Sequence, residues 1–160
     1  MCVRGLRIPA IVAACLTMGL AAARIAAAQE APAPVFDLVQ VASGFGATMT
    51  TDRAHYRSGD TIRITFEVFN HTPAPVRFDF GTGQRYDVII EDRQGNEVWR
   101  WSQGRMFTMA LGQETVGPAN PRLSYEIEVK ADLAPGRYWI EGVLADTAGQ
   151  LSAIVSVRVE

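Results

Sequence analysis

Reactive side chains are scarce in this sequence, and their spacing limits the chemistry open to them. The two histidines, His55 and His71, each adjoin a turn and stand far from the two cysteines, Cys2 and Cys15. No Cys/His pair has the short spacing of a metal-ligand set, so both histidines read as solvated turn residues. No Gly-x-Ser-x-Gly elbow carries a serine nucleophile, and no cysteine lies beyond Cys15 to act as one. Gly81-Thr82-Gly83-Gln84-Arg85-Tyr86 lacks the third glycine, the Lys-Ser/Thr ending and the following helix that a phosphate cradle needs. Its glycines more simply let the chain bend between strands. Asp79, Asp87, Glu91 and Asp92 crowd carboxylates into a short span, yet nothing sets one pair apart for acid–base work. Asn70-His71-Thr72 is a glycosylation sequon, relevant only in a host with that machinery. The sequence therefore predicts a protein that is not an enzyme and needs no metal or cofactor.

A different kind of density marks Tyr86 to Gly112, "YDVIIEDRQGNEVWRWSQGRMFTMALG". Trp99 and Trp101 stand one residue apart, Ser102-Gln103-Gly104 makes a short polar turn, and Arg105-Met106-Phe107 follows. Three readings of this segment stay open. In the first, Trp99 and Trp101 share one face of a strand and seal a core, with Phe107, Met109 and Leu111 covering its open end. In the second, Ser102 to Phe107 protrudes as a rigid loop offered to a proteinase cleft. Met106 or Phe107 suits the apolar pocket of a subtilisin-like enzyme, Arg105 suits a trypsin-like one, and Gly104 lets the backbone approach closely. In the third, the aromatic surface docks another envelope protein or a glycan.

The elements that must position this segment are strands. "TIRITFEVFN" alternates with period 2, placing Ile62, Ile64, Phe66 and Val68 on one face and Thr61, Arg63, Thr65 and Glu67 on the other. "ATMTTDRAHY" reads as a first edge strand, and Arg57-Ser58-Gly59-Asp60 as a turn. "VRFDF" and "RYDVIIED" flank the glycine break, and Asp92-Arg93-Gln94-Gly95-Asn96 is a hairpin connection with Gly95 at positive φ. In "RLSYEIEVK", Leu123, Tyr125, Ile127 and Val129 share a face. "RYWIEGVLAD" and "LSAIVSVRV" close the chain. The predicted core is Ile62, Ile64, Phe66, Val68, Val88, Ile90, Leu123, Tyr125, Ile127, Tyr138, Ile140, Val155, Val157 and Val159. Short strands, Gly/Pro turns and no convincing helix beyond the N-terminus predict one antiparallel β-sandwich.

The first residues read differently. Arg4 and Arg7 precede an apolar run from Ile8 to Ala23, and Ala26-Ala27-Ala28 supplies a small-residue cleavage site before Gln29. The expectation is an export signal over 1–28, a Pro/Ala-rich tether and leading segment over 29–47, and one domain over 48–160. The apolar run is too short for a comfortable membrane span. Val12-Ala13-Ala14-Cys15 offers an alternative, a lipobox whose Cys15 would anchor the chain to a membrane. Cleavage after Ala28 would remove both cysteines and Arg4, Arg7 and Arg24, leaving 12 basic against 17 acidic residues, a formal charge of −5. That balance argues against a nucleic-acid partner. The expected location is periplasmic or secreted.

These residues also carry a resemblance. "VRFDFGTGQR" followed by Tyr86-Asp87, the aliphatic strand, the Gly-Asn hairpin, Val98-Trp99-Arg100-Trp101-Ser102 and Met106-Phe107 resembles the BsuPI domain, the intracellular proteinase inhibitor family of bacteria. "YRSGDTIRITFEVFN" upstream and "APGRYWIEGVL" downstream are similar to its flanking strands, so the likeness spans about Thr48 to Leu144. The resemblance implies an immunoglobulin-like β-sandwich and inhibition of a serine proteinase of the subtilisin type. It marks Tyr86, Asp87, Trp99, Trp101 and Ser102 as the structural motif, and Gly104, Arg105, Met106 and Phe107 become the candidate partner-binding residues. The export signal departs from the intracellular setting of that family, and sandwich folds host many functions.

Overall fold

The computed structural model describes residues 44–130, 132–147 and 151–160. The expected export signal, Cys15, and the tether up to Ser43 lie outside the described residues. The described residues form ten strands: β1 Phe45–Thr51, β2 His55–Tyr56, β3 Thr61–Asn70, β4 Val76–Phe80 and β5 Tyr86–Glu91. The rest are β6 Glu97–Arg100, β7 Gly112–Val116, β8 Arg122–Lys130, β9 Gly136–Leu144 and β10 Ser152–Val159. Among the described residues no helix is long and apolar enough to cross a membrane.

Three sheets result, ordered β1-β3-β8, β2-β10-β9-β5-β6 and β4-β7. All pairings are antiparallel except β2 with β10, where Arg158 lies opposite His55 and Val159 opposite Tyr56 in parallel. β1 begins three residues ahead of Thr48, pairing Phe45 with Asn70 and Gly46 with Phe69.

Alternation in β3 decides which way the first sheet faces. Ile62, Ile64, Phe66 and Val68 are at most 1% exposed. Burying side chains of this size stabilises by about 1.5–3 kcal/mol each, an upper range because the unfolded chain already hides some surface. The opposite face carries charge: Arg63 Nε donates to Glu128 Oε1 at 3.1 Å, and Arg122 Nη1 to Glu67 Oε1 at 3.1 Å. Cross-strand pairs of opposite sign suit an exposed sheet face.

The sheets meet closely at Gly142 on β9, where a Cβ would lie 2.6 Å from Met49 Cε and 2.8 Å from Phe66 Cδ2. A side chain there would force the layers apart, so glycine sets their spacing. The predicted core residues are buried, except that Leu123 and Tyr125 are half-buried against its edge. Met49, Tyr56, Phe78, Phe80, Val116 and Leu144 join the core as well. The third sheet is tied down by Asn70, 1% exposed, whose Nδ2 donates to Ala74 O at 2.8 Å and Val116 O at 2.9 Å. With both amide hydrogens engaged and the residue buried, the Asn70 sequon has no room for a glycan, and Asn70 acts as a staple instead.

Candidate functional site

β5 and β6 form the hairpin that carries the candidate loop. Asp92 organises its turn: Oδ1 accepts from Gln94 N at 2.8 Å and Asn96 N at 2.9 Å, while Gly95 takes φ 79°. Hydrogen bonds from the Asn96 side chain and backbone hold the Asp92 carboxyl below its ordinary value. β6 ends at Arg100, so Trp101 stands just past the strand, although its N–H still reaches Val88 O at 2.8 Å. Trp99 and Trp101 are both half-buried and pack against the core from its rim.

Asp87 links the start of the hairpin to its exit. Its carboxylate accepts from Ser102 N at 3.1 Å, Ser102 Oγ at 2.7 Å, Val88 N at 2.9 Å and Arg100 Nη1 at 3.0 Å. The Asp87 side chain is only 14% exposed, and charge-assisted bonds in such a setting are the strong kind. Arg100 is divided between Asp87 and Glu97, bonding Glu97 Oε1 through Nε at 3.0 Å.

A ladder of rings rises from the core beside this network. Phe66 and Tyr125 lie 6.2 Å apart, Tyr125 and Tyr86 4.9 Å, Tyr86 and Trp101 4.5 Å, and Trp101 and Phe107 5.7 Å. These centroid distances suit tilted or offset aromatic contact, worth about 0.5–1.5 kcal/mol per pair beyond area. The foot of the ladder is braced by Arg85, whose Nε donates to Glu114 Oε1 at 2.8 Å, while Tyr125 Oη donates to Glu114 Oε2 at 3.1 Å. Burial pushes the Tyr86 phenol up, opposed by the nearby Arg105 charge, and burial with the Glu114 carboxylate pushes Tyr125 up further.

The loop itself turns at Gly104, where φ is 74° and a side chain would be strained. Arg105 N donates to Ser102 O at 3.0 Å, and Gly83 N to Thr108 O at 2.8 Å, so both flanks of the tip are pinned. Arg105 folds back: its guanidinium sits 4.2 Å over the Trp101 ring, and Nε donates to Trp101 O at 2.8 Å. Phe107 is half-buried against Trp101. Met106 projects alone, 97% exposed.

One expectation needs correction. Met109 and Leu111 do not cover the end of the sandwich, for they are 84% and 86% exposed. Arg105, named as a candidate partner-binding residue, is exposed with its guanidinium over the Trp101 indole. Arg85 and Glu114 were missed by sequence reasoning, since their pairing joins positions far apart in the chain. In the structure Gly112 makes room for the pair, since a Cβ there would collide with the Arg85 guanidinium. Among the described residues no group of His, Cys, Asp or Glu stands ready to hold a metal ion.

The family model for BsuPI, described as intracellular proteinase inhibitor, matches residues 49–149. The chain belongs to the BsuPI family. The matched span runs from β1 to the exit of β9 and contains the whole ring ladder, the Asp87 network and the loop. No curated protein matches the chain. Among solved structures, the C-terminal domain of Wzt is 9% identical at TM-score 0.46, covering 81% of this chain and 79% of that one. The sporulation control protein Spo0M from Bacillus subtilis is 12% identical at TM-score 0.46, covering 74% of this chain and 50% of that one. A β-glucosidase from Erythrobacter marinus is 14% identical at TM-score 0.43, covering 72% of this chain, which spans only 15% of the enzyme. At these scores neither fold nor activity transfers from them.

Proposed function

We propose that this BsuPI protein is an exported, non-catalytic inhibitor of a serine proteinase and that it docks through Gly104 to Phe107. The observation that carries the reading is Met106, 97% exposed at the apex of a loop pinned on both flanks. An exposed methionine costs free energy in water, and a proteinase pocket that buries it recovers about 1.5–3 kcal/mol. Rigidity of the flanks lowers the ordering cost of binding. Tyr86, Asp87, Trp99, Trp101 and Ser102 act as the platform, with Arg105 and Phe107 fixing the loop to it.

Met106 suits an apolar specificity pocket, so a subtilisin-like proteinase is the favoured target. With its guanidinium laid on Trp101, Arg105 is poorly disposed to enter a trypsin-like pocket. Titrating the secreted chain against both enzyme types tests this directly. Inhibition of the subtilisin-like enzyme, weakened by Met106→Ala, supports the reading, and no inhibition at large molar excess removes it.

Exposed apolar side chains continue past the tip to Met109 and Leu111. That wider surface favours a second reading, docking to another envelope protein without inhibition. Export itself, to the periplasm or beyond, rests on the leader sequence, with a lipid anchor at Cys15 as the alternative. Intact mass distinguishes a chain starting at Gln29 from a lipidated one starting at Cys15.

A further inference from the structure

The far end of the five-stranded sheet holds a feature that the loop does not explain. β5 runs from Tyr86, beside the candidate loop, to Glu91, beside the hairpin turn. At that turn Arg93 joins Arg137 of β9 and Arg158 of β10 around a cleft of about 520 Å3, floored by Pro135, Gly136 and Val159. Arg137 and Arg158 are direct cross-strand partners. Like charges placed opposite one another destabilise an antiparallel pair. In the same sheet Glu91 likewise lies opposite Glu97, whereas on the other sheet Arg63 lies opposite Glu128 and bonds it at 3.1 Å.

Partnering makes the contrast sharper. Arg53, Arg63, Arg77, Arg85, Arg100 and Arg122 each have a carboxylate within ion-pair distance. Among the described residues, Arg57, Arg93, Arg105, Arg137 and Arg158 have none; Arg105 lies on the Trp101 ring, and Arg93, Arg137 and Arg158 share the cleft. Glu160 also lines the cleft, but its side chain is turned to His55, with Oε1 3.7 Å from Nδ1. Three arginines thus line one cleft, beside Glu160, in a chain whose formal charge is −2 overall.

We infer that Arg93, Arg137 and Arg158 form a binding site for a phosphate-class oxyanion, free or carried on a lipid headgroup. The planar guanidinium fork matches the oxygens of such a group and is less strongly hydrated than an ammonium, so three forks can surround one anion. Binding would also relieve the repulsion between Arg137 and Arg158. This site is independent of the inhibitor reading, because it uses the opposite end of the sheet.

The test is a titration of the isotope-labelled full chain with inorganic phosphate, at ionic strength held constant with chloride, followed by backbone amide shifts. Saturable shifts at Gly136, Arg137 and Arg158 are expected. Arg137→Gln and Arg158→Gln should each weaken binding about tenfold, while Arg77→Gln, on β4, leaves it unchanged. In phosphate-free buffer Arg137→Gln should melt no lower than the wild type, and phosphate should raise the melting temperature of the wild type alone. A parallel arm uses phosphatidylglycerol vesicles against phosphatidylcholine vesicles. Binding to the anionic vesicles without a response to free phosphate assigns the anion to a headgroup, and the reverse assigns it to a free ligand. Silence in both arms, or equal responses from wild type and Arg137→Gln, overturns the site.

Discussion

Replacing Asp87 by alanine removes the acceptor that joins the entry of the hairpin to the candidate loop. The carboxylate receives four hydrogen bonds, from Ser102 N, Ser102 Oγ, Val88 N and Arg100 Nη1, at 2.7 to 3.1 Å. Bonds to a charged group are worth about 1.5–3 kcal/mol each, but four sharing one carboxylate do not add. Ser102 and Arg100 are half-exposed and can turn to water or, for Arg100, to Glu97. The expected loss is therefore about 2–4 kcal/mol, at the upper end of single substitutions. Asp87→Asn keeps the shape and one acceptor oxygen but turns an amide toward Arg100, so about half that loss is expected. Urea unfolding followed by tryptophan fluorescence reads the stability, and hydrogen exchange at Ser102, Gln103 and Arg105 reads the loop. An Asp87→Ala protein within about 0.5 kcal/mol of wild type, with unchanged exchange in the loop, would refute the claim that Asp87 holds it.

Gly142→Val should lower stability by about 1–3 kcal/mol or more, by overpacking against Met49 and Phe66, as thermal melting will show. Arg105→Ala should cost about 0.5–1 kcal/mol through loss of its stacking on Trp101, and should loosen the loop in hydrogen exchange. Burial, with the hydrogen bond to Asp52, pushes the Tyr56 phenol from 10.0 up to about 12, so the folded chain keeps a proton that the unfolded chain releases. Its share of stability is therefore complete below pH 10 and is lost between pH 10 and 12. Tyr56→Phe should make that part of an alkaline unfolding profile less steep, leaving the share that Tyr86 and Tyr125 carry.

Strand β3 was legible because four large apolar residues alternate strictly with polar ones, a pattern that only a half-buried strand uses. β7 was not, since "GQETV" has no alternation and becomes a strand only by pairing with β4. Phe78 and Phe80 were missed as core although "VRFDF" alternates with period 2 and buries both on one face. β2 is two residues held in parallel against β10, a contact between distant parts of the chain that leaves no periodic trace. At the candidate loop, residue type revealed the concentration of aromatic and cationic surface. Which side chain projects was not legible, because Arg105 and Met106 are neighbours and only the position of the Trp101 ring separates their fates. The three clustered arginines likewise depend on the register between β9 and β10.

The central claim is that a platform-held loop presents Met106 to a proteinase. Its most direct test is the inhibition constant of the secreted wild-type chain and of Met106→Ala against a subtilisin-like proteinase, with melting temperatures measured alongside. The account predicts inhibition by the wild type and a constant weakened about tenfold or more in the variant, matching loss of about 1.5–3 kcal/mol of methionine burial, with melting unchanged. Equal inhibition by both proteins, or none by the wild type in large excess, would contradict it.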